Sequence, residues 1–599
     1  MENVLKKLKM MAGLMPALAL AAVADSGSFP ADLEALTRGP HRLTGTMEYR
    51  AAADHVKARL EQIGVDEVIV QEFPAAQTVT KRCELVFDGG QKIPLVPARP
   101  DGIIPPVSSP EGITGELVWL GAGHAGDFER ADPQGKIAVM DYNTDDQWLK
   151  AFRLGAKAVI FTRQEPCESR HHHHVRANAN LPRFYYDGPA SNLTEGARVS
   201  LHSEIVWEKT TGRNVIGYLK GTDPVFDLGK EEVIIISANL DSFGEIPERT
   251  PGARPAANCA ALLQLAEMLR DQRPRRGAVF LFADGQARSH AGARAFYEAL
   301  EDKVKQADLD ARMKAWKTES SFIRQVREQM KKDDPLADRI SPSGKELLKR
   351  LRSAATDYAQ EIRGQLMELR AKEKEDESAD FSARIDELAS AQNRWNDLRR
   401  ELGRGSVSEN SQPLFREVLK TVQASVEARA GELRAAKAML DSSLKVRDLL
   451  ADRWIALHIS LMLGDTTERW GVVIGGDADI HSAQDDPGLY GRIQGSFLRA
   501  WESLEKGKTR AAHFEPASVD GRLTQTRLLW NAPMLIHGGE IAGRHGIYNI
   551  VLGTMHETLP REGTPDDTAE FLNTDIIRQT TREIALLLAA VASLETQLG

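Results

Sequence analysis

The residues of this 599-residue chain best suited to chemistry gather in one stretch, Glu231–Leu300. Three short words stand out in it: Asn239-Leu240-Asp241-Ser242, Arg254-Pro255-Ala256-Ala257-Asn258 and Asp284-Gly285-Gln286-Ala287. Carboxylates and a guanidinium can bind a charged ligand, and Arg254 could hold a peptide carboxylate or another anion through two parallel hydrogen bonds. Amides are poorer tools. Asn239 and Gln286 offer neutral amides that carry no charge and exchange no proton near neutral pH, and Ala287 offers no donor atom. Arg254 adds a permanent positive charge that opposes any cation placed beside it.

The elements that position these words follow from hydrophobic patterning. Val233–Ile236 is an unbroken β-branched run, as in a strand buried on both faces, and Ala256–Leu269 repeats apolar residues at helical spacing. A second apolar run, Ala278–Phe282, leads into another helix. Strand, helix, strand and helix with short connections predict a parallel α/β sheet with its chemistry beyond the carboxyl ends of the strands.

At those ends the chain resembles the secreted zinc aminopeptidase family that includes glutamate carboxypeptidase and the transferrin receptor. That family carries His-x-Asp-Ser after the first strand, Gly-Ala-x-Asp-Asn-x-Ser-Gly opening the helix, and Asp-Gly-Glu-Glu after the second strand. The resemblance implies a three-layer α/β sandwich with a mixed, mostly parallel sheet. It also assigns five ligand positions, here Asn239, Arg254, Ala287, Met462 and Gly563, with Gln286 at the general base. None of the six keeps the family's residue, while Asp241, Ser242, Gly285, Pro565 and Asp567 remain. The expected site is therefore a degenerate pocket of Asp241, Arg254, Asp284, Gln286 and Asp567, with no catalytic residue and no zinc. A salt bridge from Arg254 to Asp241 or Asp284 is expected to fill the metal space, since those carboxylates have lost their partners.

The rest of the chain extends the resemblance. Residues 25–74 form a first part of the peptidase-like core, with Pro40–Thr46 as the family's run-in and His41 as a structural residue. Residues 75–203 change to short strands broken by Gly and Pro and resemble an inserted protease-associated domain. That module contains His171-His172-His173-His174, a possible site for adventitious metal. Core residues 204–303 follow. Residues 304–450 then show long amphipathic helical patterns, a hairpin or bundle suited to a partner or to self-association. Residues 451–599 complete the core, with Met462 on a strand end and Gly563 before a Thr-Pro-Asp-Asp-Thr turn. A competing reading keeps zinc and a metallo-aminopeptidase or carboxypeptidase activity, with ligands relocated to His290, His458, Asp465, His545 or His556.

Composition narrows the remaining classes. A net charge of -9 and a pI near 6.0 argue against a general nucleic-acid partner. Residues 1–24 have a basic start, an apolar run and an Ala22-Val23-Ala24 end, which predicts an export signal and a periplasmic or extracellular protein without a membrane span. Cys83, Cys167 and Cys259 are too few and scattered for a disulfide framework, although Cys83 and Cys167 could pair. The sequence points to an exported, catalytically inactive peptidase homologue that acts by binding a peptide or protein.

Overall fold

The computed structural model describes residues 27–101, 105–163, 165–169, 181–223, 230–300, 303–375, 380–474, 487–506, 513–514, 537–555, 557 and 559–594. The export segment, His171–His174 and His556 lie outside the described residues. Two compact units are present, residues 1–301 with 442–599 and residues 302–441.

In the first unit, α1 (Ser28–Thr37) and α2 (Met47–Ile63) lead into the long strand β1 (Glu67–Phe87). Five short strands and one longer one follow: β2 (Lys92–Pro94), β3 (Val96–Pro97), β4 (Ile113–Gly121), β5 (Ile137–Asp141), β6 (Ala158–Thr162) and β7 (Arg183–Tyr186). The chain returns along β8 (Arg198–Leu219), antiparallel to β1 from Phe87↔Val199 to Glu67↔Tyr218. Ala75 and Ser203, the boundaries read from the change in patterning, fall inside β1 and β8. The two strands therefore run through both ends of the insertion without a break. Within it β4, β5, β6 and β7 pair in parallel.

The central sheet continues with β9 (Glu231–Asn239), α3 (Ala253–Asp271), β10 (Gly277–Ala283) and α4 (Ala291–Glu298). After the second unit come β11 (Arg453–Met462), β12 (Trp470–Ile474), a helix at Pro487–Lys506, a short helix at Gly539–Arg544, β13 (Asn549–Thr554) and the closing helix Thr574–Ala592. The strand order is β12-β13-β11-β9-β10-β8, parallel from β13 to β10 and antiparallel at both flanks. Alternate side chains explain the three layers. Ile234 and Ile236 pack with α1, α2, α3 and the closing helix, whereas Val233 and Ile235 pack with Phe296, Tyr297 and Ile541 on the other face. Each fully buried Ile or Leu in these layers contributes about 1.5–3 kcal/mol.

The second unit is helical: α5 (Lys303–Met330), α6 (Pro342–Glu375), α7 (Ser382–Arg404) and α8 (Gln412–Leu450), whose residues from Ser442 onward belong to the first unit. Leu347, Leu351 and Ala355 recur every fourth residue on α6 and bury against Leu398 and Leu402 of α7 and Val418 and Val422 of α8. Tyr358 stacks on Trp395 with ring centroids 4.5 Å apart. All three cysteines are free thiols, so the Cys83–Cys167 pairing allowed by the sequence is not formed. Among the described residues no helix is long and apolar enough to cross a membrane.

Candidate functional site

The three words converge where β9 and β10 end and α3 begins. Leu240 N–H donates to the Ala283 carbonyl at 2.8 Å and thereby locks the two strand ends together. Gly252 caps α3 in the left-handed region at φ 68°, and a Cβ there would lie 2.7 Å from the Ser242 Cβ. Glycine is required for this approach. It sets Arg254 in the first turn of α3 beside the end of β11.

Asp241 is buried, and its two oxygens accept the backbone N–H groups of Gln286 at 3.0 Å and Ala287 at 3.2 Å. Gln286 and Ala287 thus hold Asp241 through their main chain. Burial pushes the Asp241 carboxyl up to about 6. Asp284 is also buried and accepts the Thr44 hydroxyl at 2.8 Å and the Arg213 N–H at 2.9 Å. Burial first, and the Asp241 charge second, push its carboxyl well above the usual range.

Arg254 is not paired with either of them. Its Nη2 donates to Asp465 at 2.9 Å and lies 4.0 Å from Glu557, and its main-chain N–H donates to Asp567 at 3.1 Å. This corrects the expected bridge to Asp241 or Asp284, whose oxygens are already taken by main-chain and hydroxyl donors. Asp465 spends its second oxygen on Asn573 N–H at 2.9 Å. Asp567 accepts Gly563 N–H at 3.3 Å, and burial raises its carboxyl. Gly563 sits at φ 72°, in the left-handed region that glycine enters without steric cost. Met462 is half-buried at the end of β11, and Asn239 is half-buried at the end of β9.

Sequence reasoning missed the cation beneath the site. Arg42 is buried at 2% exposure and donates to the carbonyls of Leu240, Leu36, Pro251 and Gly252 at 2.6–2.9 Å. Its N–H and C=O also bond Ser242, which gives the retained Asp-Ser word a structural role. Asn258 clamps Leu463 through both its amide atoms at 2.7 and 3.2 Å. Only the position of Arg42 beside His41 in the run-in signalled this. On the insertion side, Asp566 accepts Arg163 at 3.1 Å and Cys167 N–H at 2.7 Å.

Among the described residues, the relocated ligands do not gather here. His458 lies on the opposite face of the sheet, bonded to Ser237 at 2.8 Å and to the Tyr297 hydroxyl, and burial pushes its pKa down to about 3. His290 is likewise buried, and Tyr297 stacks on His545 with centroids 5.6 Å apart. Asp465 faces Arg254. A two-zinc centre needs inward lone pairs from imidazoles and carboxylates. The residues present do not fit one: the Arg254 guanidinium is fixed beside Asp465, where its permanent charge opposes a dication. Among the described residues, no group of three or more His, Cys, Asp or Glu is placed to hold a metal ion. What the arrangement can do is bind, through Arg254 and the half-buried Gln286.

Residues 214–380 match the family model described as Peptidase family M28. Among solved structures, the chain is similar to a peptidase M28 precursor from Shewanella amazonensis, at 14% identity over 98% of this chain and 99% of that one, with a TM-score of 0.45. A zinc aminopeptidase from Bacillus subtilis matches at 14% identity over 94% and 93%, TM-score 0.42. A glutaminyl cyclase from Bacteroides thetaiotaomicron matches at 9% identity over 94% and 97%, TM-score 0.31. No curated protein matches.

Proposed function

We propose that this chain, with its Peptidase family M28 segment at residues 214–380, is an exported and catalytically inactive zinc-aminopeptidase homologue that acts by binding a peptide or protein. The observation that carries this reading is the Arg254–Asp465 pair at 2.9 Å. It puts a fixed cation, both partners buried, in the turn where the sequence resemblance expects the carboxylate that two metals share in a zinc peptidase. The side chains at Gln286 and Ala287 support it, because an amide takes no proton from a bound water and a methyl group offers no ligand atom. Export rests on residues 1–24 alone.

Binding then depends on the pocket of Asp241, Arg254, Asp284, Gln286 and Asp567. The ligand feature that suits it is an anionic terminus held by the guanidinium. The test is the zinc and transition-metal content of the purified mature protein carrying His171→Ser, His172→Ser, His173→Ser and His174→Ser, alongside an aminopeptidase assay. The reading expects no stoichiometric metal and no metal-dependent hydrolysis. One or two tightly held metals per chain would overturn it.

A further inference from the structure

The helical unit carries a feature unrelated to the strand-end pocket. A groove of about 620 Å³ runs between α6 and α7 and is lined by Lys345, Lys349 and Arg352 on one bank and Arg399 and Arg400 on the other. All five are exposed, and no acidic residue lines the groove. Lys345, Lys349 and Arg352 are spaced by four and then three residues, so they form one stripe that reaches Thr356 over about 16 Å of helix. The Arg352 guanidinium crosses toward α7, where its Cζ lies 3.9 Å from the place a Cβ would take on Gly403. The two banks therefore direct their charge at one volume.

Such an arrangement opposes folding of the bundle, because like charges three or four residues apart on a helix repel by about 0.2–0.5 kcal/mol per pair. Elsewhere the same bundle pairs its cations: Arg350 with Glu346 at 2.9 Å, Arg327 with Glu427 at 2.7 Å and Arg429 with Glu319 at 2.6 Å. In the groove only Arg400 has an acidic partner among the described residues, Asp397 at 3.2 Å. Four cations remain for an external anion.

The lining chooses the kind of anion. It has no aromatic ring for bases to stack on, which disfavours single-stranded nucleic acid. Leu348 is its one fully apolar side chain, so there is no anchor pocket of the kind a folded protein partner uses. Ser353 and Thr356 add hydroxyl donors beside the cations, which suits a group rich in acceptor oxygens. We infer that the groove between α6 and α7 binds a compact oligophosphate group, either free or carried on a lipid headgroup.

The full chain is titrated calorimetrically with inorganic tripolyphosphate and sedimented with phosphatidylcholine vesicles with and without phosphatidylinositol bisphosphate. Binding is expected to weaken as salt rises, and to fall about tenfold or more in the triple variant Lys349→Gln, Arg352→Gln, Arg399→Gln. A control of equal charge loss, Arg363→Gln, Arg370→Gln, Lys420→Gln, is expected to bind like the wild type. Unchanged thermal melts confirm that both variants fold. Binding of tripolyphosphate alone identifies a free ligand, and sedimentation that depends on phosphatidylinositol bisphosphate and is competed by tripolyphosphate identifies a headgroup. Three outcomes overturn the inference: no binding to either probe, equal loss in both variants, or tighter binding of poly-glutamate than of tripolyphosphate, which would reassign the groove to an acidic polypeptide.

Discussion

The strand-end pocket and the helical groove handle charge in opposite ways. In the pocket Asp241, Asp284, Asp465 and Asp567 are buried, and the fold supplies donors to each of them from main-chain N–H groups, a hydroxyl or a guanidinium. In the groove the cations are exposed, and four of the five have no acidic partner among the described residues. Buried charge is tied into the architecture, because an unpaired buried ion is too costly to keep. Exposed charge stays available to a ligand. A region that looks catalytic by position can therefore be structural by energetics, while a region that looks like a spacer keeps free binding capacity.

The sharpest way to break this comparison is to remove a buried cation. Arg42→Met strands four carbonyl groups away from water and is expected to cost about 4–6 kcal/mol in urea denaturation, or to prevent folding. Arg254→Met leaves Asp465 buried without its guanidinium and is expected to cost about 3–5 kcal/mol. A loss near zero in that variant would mean that the Arg254 Nη2–Asp465 pair is not part of the frame; the ligand's share is Nη1, which has no partner among the described residues.

Protonation sharpens the comparison next. The Asp241 carboxyl is at about 6 in the folded protein against an ordinary 3.8, so the native state binds a proton more tightly than the unfolded chain in that interval. Its contribution to stability is present below about pH 4 and is lost as pH rises through about 6. Asp284, raised in the same direction, adds a contribution of the same sign. Asp241→Asn abolishes one of these titrations, so its stability relative to wild type should rise by about 2–3 kcal/mol between pH 4 and pH 7. Paired denaturation curves across that range measure it, and a difference independent of pH would refute the assignment. The smallest effect is predicted for the groove: Lys349→Gln should change stability by less than about 0.5 kcal/mol, as followed by thermal melting.

Much of the fold was legible in local pattern. Val233–Ile236 had to be a doubly buried strand, and Leu347, Leu351 and Ala355 had to face one side of a helix. The departures at Asn239, Arg254, Ala287 and Gln286 stood out because Asp241, Ser242 and Gly285 match the family's words around them. The partner of Arg254 was not legible, because Asp465 lies 211 residues away on another strand end and reaches it only after the sheet closes. Nor was the continuity of β1 and β8 through Ala75 and Ser203. Gly and Pro around these positions mark a change of module, but pairing across more than a hundred residues has no local signature.

That continuous pair of strands also constrains the order in which the chain can assemble. The β1–β8 ribbon is about 70 Å long at the usual rise per residue. Its near end, Phe87↔Val199, encloses every strand from β2 to β7, and its far end, Glu67↔Tyr218, supplies the neighbour that β10 needs. Zipping from the near end requires the smallest loop closure, so the insertion organises first and the core sheet gains its β8 flank afterwards. An error inside the insertion would leave the β10 edge bare in the nascent protein, and a bare apolar edge pairs readily with other chains. The insertion is thus a timekeeper for the core, and damage to it would appear first as aggregation during synthesis.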